Sequence, residues 1–97
     1  MAEVPQDIRI NANWPNPFNS NTTINYELIK PGNVKLTIYN LLGQEVVSLF
    51  TGYQQKGVYD IQWNGQDKYG LPVANGSYYI RMESGKSVVQ RKVMVVW

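Results

Sequence analysis

Few residues here could do acid–base or nucleophilic chemistry. The 97-residue chain contains no histidine and no cysteine. That removes the commonest general base, the commonest metal ligand and every thiolate site. Nucleophilic catalysis would then need a Ser–Lys arrangement or a pair of carboxylates. The seven acids are Glu3, Asp7, Glu27, Glu45, Asp60, Asp67 and Glu83. Glu27, Asp60 and Glu83 fall on outward positions of apparent strands, where a solvated charge is the default. No two acids are spaced to share a cleft. The sequence predicts no catalytic residue, no enzyme and no cofactor.

Two weaker chemistries remain. Asn64-Gly65-Gln66-Asp67-Lys68-Tyr69-Gly70 offers oxygen side chains at alternate positions, as a calcium loop would, but with one carboxylate. Calcium loops use several, and an EF-hand ends on a bidentate Glu. The expectation is no metal site and a turn held by Asx hydrogen bonds. Trp14, Tyr39, Tyr53, Tyr69 and Tyr79 are rings that could stack on a sugar, but tyrosine is frequent on strands for packing reasons alone. A carbohydrate-binding module is the second functional reading.

Composition narrows the setting. Hydrophobic residues make up 43% of the chain and aromatic ones 12%, while charged residues are only 16%. A globular domain usually carries nearer a quarter. This balance fits an extracellular or surface β domain better than a cytosolic helical one. The net charge of +2 is too slight to argue for nucleic acid. No apolar run approaches a membrane span and no signal peptide is visible. Met1-Ala2 ahead of a polar stretch looks like an added start, so the chain reads as a fragment of a longer exported protein.

The elements that must position these residues are strands. Residues 1–13 read as a linker that becomes a first edge strand at Ile8 and Ile10, with the domain proper over 14–97. Trp14-Pro15-Asn16-Pro17-Phe18 is a rigid turn, with Trp14 and Phe18 both expected to tuck into the domain edge. Thr22–Ile29 turns Ile24, Tyr26 and Leu28 inward. Val34–Tyr39 turns Val34, Leu36 and Ile38 inward and Thr37 outward. Pro31-Gly32 suggests a type II turn joining these two as a hairpin. Gly43 is expected at positive φ. Glu45–Phe50 is a strand whose facing stays open, because Val46 and Phe50 compete with Val47 and Leu49. Thr51–Lys56 reads as a polar loop.

Gly57–Met82 is the most legible stretch. Tyr59, Ile61 and Trp63 alternate with polar residues, and so do Tyr78, Ile80 and Met82. Between them lie three glycines, a proline, two asparagines and an aspartate, which is loop chemistry. The two strands are expected to be neighbours. Ser84-Gly85-Lys86 is a tight turn. Ser87–Trp97 is a last strand whose VMVVW end suggests burial on both sides or a packed chain end. No stretch has a helical period. Some seven short strands at roughly 8–12-residue spacing point to an all-β, antiparallel sandwich of immunoglobulin type.

Several stretches together resemble one family. They are WPNPFN at Trp14–Asn19, TTINYEL at Thr22–Leu28, VKLTIYNLLGQEVVSL at Val34–Leu49, the whole of Gly57–Met82, and RKVMVV at Arg91–Val96. In this order they look like the type A C-terminal sorting domain of the type IX (Por) secretion system, over residues 14–97. The matching motif positions are Pro15, Asn16, Pro17, Phe18, Gly43 and Gln44. The resemblance implies a non-catalytic signal that carries its parent protein across the outer membrane. The partners implied are the outer-membrane translocon and a sortase, with lipopolysaccharide reached through attachment of the cargo. The implied location is the periplasm in transit, then the cell surface or the medium. Cleavage would fall at or upstream of residues 1–13. The recognition signal, carried over, would lie on Gly76, Tyr78, Lys86, Arg91, Lys92, Val93 and Val95. Trp97 departs from the family, many of whose members end in a basic or small polar residue. WNGQDKYGLPVANGSYYIR also resembles the immunoglobulin-like domain of flagellar hook-capping proteins, within what reads as one hairpin. The second reading is a carbohydrate-binding or structural accessory module of a secreted enzyme. An exposed edge strand would permit weak self-association.

Overall fold

The computed structural model describes residues 7–97. Glu3 and the first six residues of the expected linker lie outside them. The described chain forms seven strands and no helix: β1 (Ile8–Trp14), β2 (Thr22–Leu28), β3 (Gly32–Tyr39), β4 (Glu45–Gln54), β5 (Gly57–Trp63), β6 (Gly76–Ser84) and β7 (Ser87–Val95). They make two antiparallel sheets, β1-β2-β5 and β4-β3-β6-β7, which is the sandwich the alternation predicts.

The period-2 pattern places the core. Ile24, Tyr26 and Leu28 of β2 face Leu36 and Ile38 of β3, Ile80 and Met82 of β6, and Val93 and Val95 of β7; all are buried. No disulfide spans this core. Its centre is a ring cluster instead. Trp63 meets Phe18 edge-on at 5.4 Å and Tyr78 edge-on at 5.6 Å. Such geometry contributes about 0.5–1.5 kcal/mol per pair beyond area burial. Tyr26 and Tyr59 stack at 5.5 Å, and the Tyr26 hydroxyl donates to Gln54 Oε1 at 2.9 Å, tying β2 to the end of β4.

Several expectations are corrected. β2 and β3 do not form a hairpin: they lie in different sheets, and the chain crosses the sandwich between Leu28 and Gly32. Gly32 has no positive φ, so the type II turn is absent too. β5 and β6 are likewise in opposite sheets and meet through Trp63 and Tyr78 across the core. The hairpins are β1–β2, β3–β4 and β6–β7. The last closes through the two residues Gly85-Lys86, with Gly85 at φ 58, the glycine-first arrangement of a type II′ turn.

The strand β4 runs on to Gln54, through most of the expected loop. Its ambiguous facing has a physical cause. The β3–β4 register shifts twice, between Leu36 and Thr37 and again between Ile38 and Tyr39. Each shift inserts one extra β4 residue. Val46, Val47, Leu49 and Phe50 can then all pack partly against the core. Thr37 keeps its outward position between Leu36 and Ile38 but is covered there. It lies between Ser48 and Arg81 on the middle of its sheet, and it is buried, with no hydrogen-bond partner for Oγ1 among the described residues.

Candidate functional site

The register places four connections at one end of the sandwich. They are the Pro15–Asn21 turn, the Asn40–Gln44 turn, the long loop between β5 and β6, and the segment after β7. Lys86 sits at the other end, since Ser84 pairs with Ser87 while Gly76 pairs with Val95.

The Asn16–Phe18 segment lies along the outer edge of β7. Phe18 N–H donates to Met94 O at 3.0 Å, and Val96 N–H donates to Phe18 O at 2.9 Å. Met94 N–H donates to Asn16 Oδ1 at 2.9 Å. Lys92 O accepts from the Asn16 and Asn13 side-chain amides at 3.4 and 3.5 Å. Phe18 thus forms a parallel bridge with Val95. The peptide bonds before Pro15 and Pro17 are cis. Thr22, fully buried, donates from Oγ1 to Pro15 O at 2.9 Å and fixes the turn from below. Phe18 is buried; Trp14 is 51% exposed, so only one of the two rings enters the edge.

The other motif positions are turn-makers. Gly43 has φ 79, as expected. Asn40 organises its turn: Oδ1 accepts from Leu42 and Gln44 N–H at 2.9 Å each, and Nδ2 donates to Gln44 Oε1 at 2.8 Å. Gly76, at φ 141, opens β6 in a backbone region that disfavours side chains.

The expected signal residues divide into two groups. Tyr78, Val93 and Val95 are core residues. The Tyr78 hydroxyl donates to Ala74 O at 2.6 Å, and burial pushes its pKa up. Lys86, Arg91 and Lys92 are exposed. Arg91 does more than show a charge. Its Nε donates to Asn13 Oδ1 at 2.7 Å and its Nη1 to Ile10 O at 3.4 Å, joining the edges of the two sheets. The VMVVW end is not buried on both sides: Val93 and Val95 point in, while Met94 is 38% and Val96 49% exposed.

Trp97 packs the chain end onto the loop between β5 and β6, a partner the sequence did not name. Its N–H donates to Asn75 Oδ1 at 2.8 Å and its Nε1 to Val73 O at 2.6 Å. The ring lies on Gly65, where a Cβ would come within 2.7 Å of it. The loop beneath is held by Asx turns. Asn64 Oδ1 accepts from Gln66 N–H at 3.1 Å, and Asp67 Oδ1 accepts from Tyr69 and Leu71 N–H at 2.9 and 3.0 Å. Asn13, Asn40, Asn75 and Trp97 were missed because their partners are distant in sequence or are backbone atoms. The one local signal was the asparagine-glycine-rich run itself.

No group of three or more Asp or Glu residues gathers among the described residues. Their one ion pair is Lys30–Asp7 at 3.8 Å, on the surface. The exposed rings do not line up. Tyr69 and Trp14 sit at the motif end, and Tyr53, opposite Asn33, at the other. Tyr39 and Tyr79 are register partners, but the Arg81 guanidinium lies 4.7 Å above the Tyr39 ring.

Solved structures that share this architecture include the following two. Dimeric latent PorU from Porphyromonas gingivalis aligns with a TM-score of 0.70 at 23% identity, over 97% of this chain and 10% of that one. FlgD from Xanthomonas campestris, described for the hook capping essential for flagellar assembly, aligns with a TM-score of 0.61 at 19% identity, over 90% of this chain and 64% of that one. The chain therefore spans a tenth of the first and under two thirds of the second, and the likeness concerns the fold. Comparison with curated protein sequences returns no significant match. The model of the FlgD Ig-like domain matches residues 18–87. The hook-capping likeness is thus wider than the one hairpin expected from the sequence. Because that match runs from Phe18 through the start of β7, across most of the sandwich, the chain belongs to the FlgD Ig-like domain family.

Proposed function

We propose that this chain is a non-catalytic sorting domain, which directs export of its parent protein across the outer membrane by the type IX secretion system and its attachment at the cell surface. The supporting observation is the junction of Asn16–Phe18 with Lys92–Val96. The two stretches of the family resemblance that lie furthest apart in sequence form one hydrogen-bonded unit. A signal read by a protein partner must be presented in a fixed shape, and this junction fixes the last strand. Tyr78, Val93 and Val95 act as scaffold, while Lys86, Arg91 and Lys92 are the side chains a translocon or sortase can touch. The likeness to a tenth of PorU fits a domain that serves a much larger protein. The parent would pass through the periplasm and end on the surface, joined to lipopolysaccharide, or in the medium.

The test is a fusion of residues 1–97 behind a Sec signal peptide and a fluorescent reporter, in a host with type IX machinery. Deleting the last strand would remove Val93 and Val95 from the core, so charge reversal is the better comparison. The unmodified fusion should reach the surface or medium. A folded Lys86→Glu/Lys92→Glu fusion should remain periplasmic. If the unmodified fusion is folded yet periplasmic, the chain is not a sorting domain, and glycan titration is the next assay.

A further inference from the structure

The two sheets leave a seam where β1 and β7 run side by side. It is fastened at three places. Asp7 N–H donates to Ser87 Oγ at 3.1 Å at one end. Arg91 bonds Asn13 and Ile10 in the middle, and the Asn13 and Asn16 amides reach Lys92 O beyond it. Between the first two fastenings the seam opens into a groove of about 390 Å³. Ile8, Ile10 and Val89 form its apolar lining, and Arg9, Gln90 and Arg91 its polar rim.

The strand edges differ in how they meet solvent. β4 carries two register shifts and β1 one, at Asn11. Such bulges blunt an edge. The Ile10 carbonyl on β1 is also taken by Arg91. The outer half of β7 is covered by Asn16 and Phe18. Among the described residues, no group outside β6 bonds the backbone of Val88–Arg91. This free half-edge is the part that borders the groove.

Charge selects the occupant. Arg9 and Arg91 stand at the groove, and no carboxylate lines it. Three acids flank the groove without lining it, and one of them, Glu83, pairs in register with Val88. Asp7 pairs with Lys30, and Glu27, the cross-strand neighbour of Arg9, accepts from Asn11 Nδ2 at 3.5 Å. We propose that the groove between β1 and the free half of β7 binds an extended acidic segment of a partner protein. The segment adds to Val88–Arg91 as a strand, seats apolar side chains on the partly exposed Ile10 and Val89, and sets carboxylates against Arg9 and Arg91. Self-pairing of β7 is disfavoured, because the strand has Arg91 and Lys92 and no acid. Such a groove would serve any parent protein, whichever route exports it.

The full chain, labelled with nitrogen-15, is titrated with a short peptide alternating valine and glutamate, up to about 1 mM. A peptide alternating valine and lysine is the control. The acidic peptide should shift the amides of Ile8–Asn11 and Val88–Arg91 and slow solvent exchange within Val88–Arg91. Arg9→Glu, at an exposed position, should weaken binding about two- to fivefold, the size of an exposed charge pair. No shifts, equal binding of both peptides, an unaltered affinity in Arg9→Glu, or shifts along the edge of β5 would each overturn the assignment.

Discussion

Asn16 accepts the backbone N–H of Met94 at 2.9 Å, across 78 residues of sequence. One side chain thus supplies what a neighbouring strand would supply. Its Oδ1 takes a β7 donor while its Nδ2 gives to the Lys92 carbonyl. With the Phe18 bridge, this closes the outer half of the last strand against solvent and other chains.

Replacing Asn16 with alanine should remove both bonds while leaving the core intact. The expected loss is about 1–3 kcal/mol, at about 0.5–1.5 kcal/mol for each of the two hydrogen bonds. Urea unfolding should show a lower midpoint at unchanged slope, since the surface exposed on unfolding is the same. Hydrogen exchange should accelerate at Met94 and Val96. If only the midpoint falls, with no faster exchange at those amides, Asn16 does not close the edge.

The alternation of Thr22–Leu28, Val34–Ile38 and Tyr78–Met82 was legible because each strand has one buried face. Which sheet a strand joins was not. Alternation tells a residue that it faces the core, not from which side, so β2 and β3 read as a hairpin although the chain crosses between layers at Pro31. The facing of β4 was unreadable because its two register shifts break the period itself. Among the motif residues, Gly43 was legible as a turn glycine. The pairing of Asn16 with Met94, and of Trp97 with Gly65, was not, because nothing local in either stretch names its partner.

Trp63 tests the ring cluster. It is 1% exposed, and its Nε1 donates to Gln66 O at 2.9 Å. Trp63→Ala should cost about 3–5 kcal/mol, the usual range for deleting a buried tryptophan. Against a total stability of about 5–15 kcal/mol, that could leave the domain largely unfolded. Trp63→Phe keeps much of the packing and loses the bond to Gln66, so it should fold with a lowered urea midpoint. A fully stable Trp63→Ala protein would mean that Phe18 and Tyr78 close the space without it.

Alkaline pH should weaken the fold through Tyr26 and Tyr78. Burial is the main cause that raises both phenols above their ordinary value of 10.0. The folded chain therefore holds these protons more tightly than the unfolded chain. Their contribution is complete below the unfolded value and is lost as pH rises through the folded ones, so stability declines above about pH 10. Urea midpoints measured across that range should fall for the parent chain. The fall should be shallower in Tyr26→Phe/Tyr78→Phe. An equal slope in both would assign the alkaline loss to other groups.

Gly65 and Trp97 should be energetically coupled. Gly65 has φ 74, a conformation that costs a non-glycine residue about 1–3 kcal/mol, so Gly65→Ala is strained before any contact is considered. The new Cβ would also lie 2.7 Å from the Trp97 ring and force it away from Val73 and Asn75. Trp97→Ala alone loses the ring's contacts and its Nε1 bond. In the double variant the clash no longer exists, and only the backbone strain adds to the loss of the ring. The cycle should therefore be non-additive, with the double variant more stable than the two single losses predict. Hydrogen exchange in the Asn64–Asn75 loop should follow the same order. Simple additivity would mean that Gly65 is needed for its backbone alone and that Trp97 does not fasten the loop.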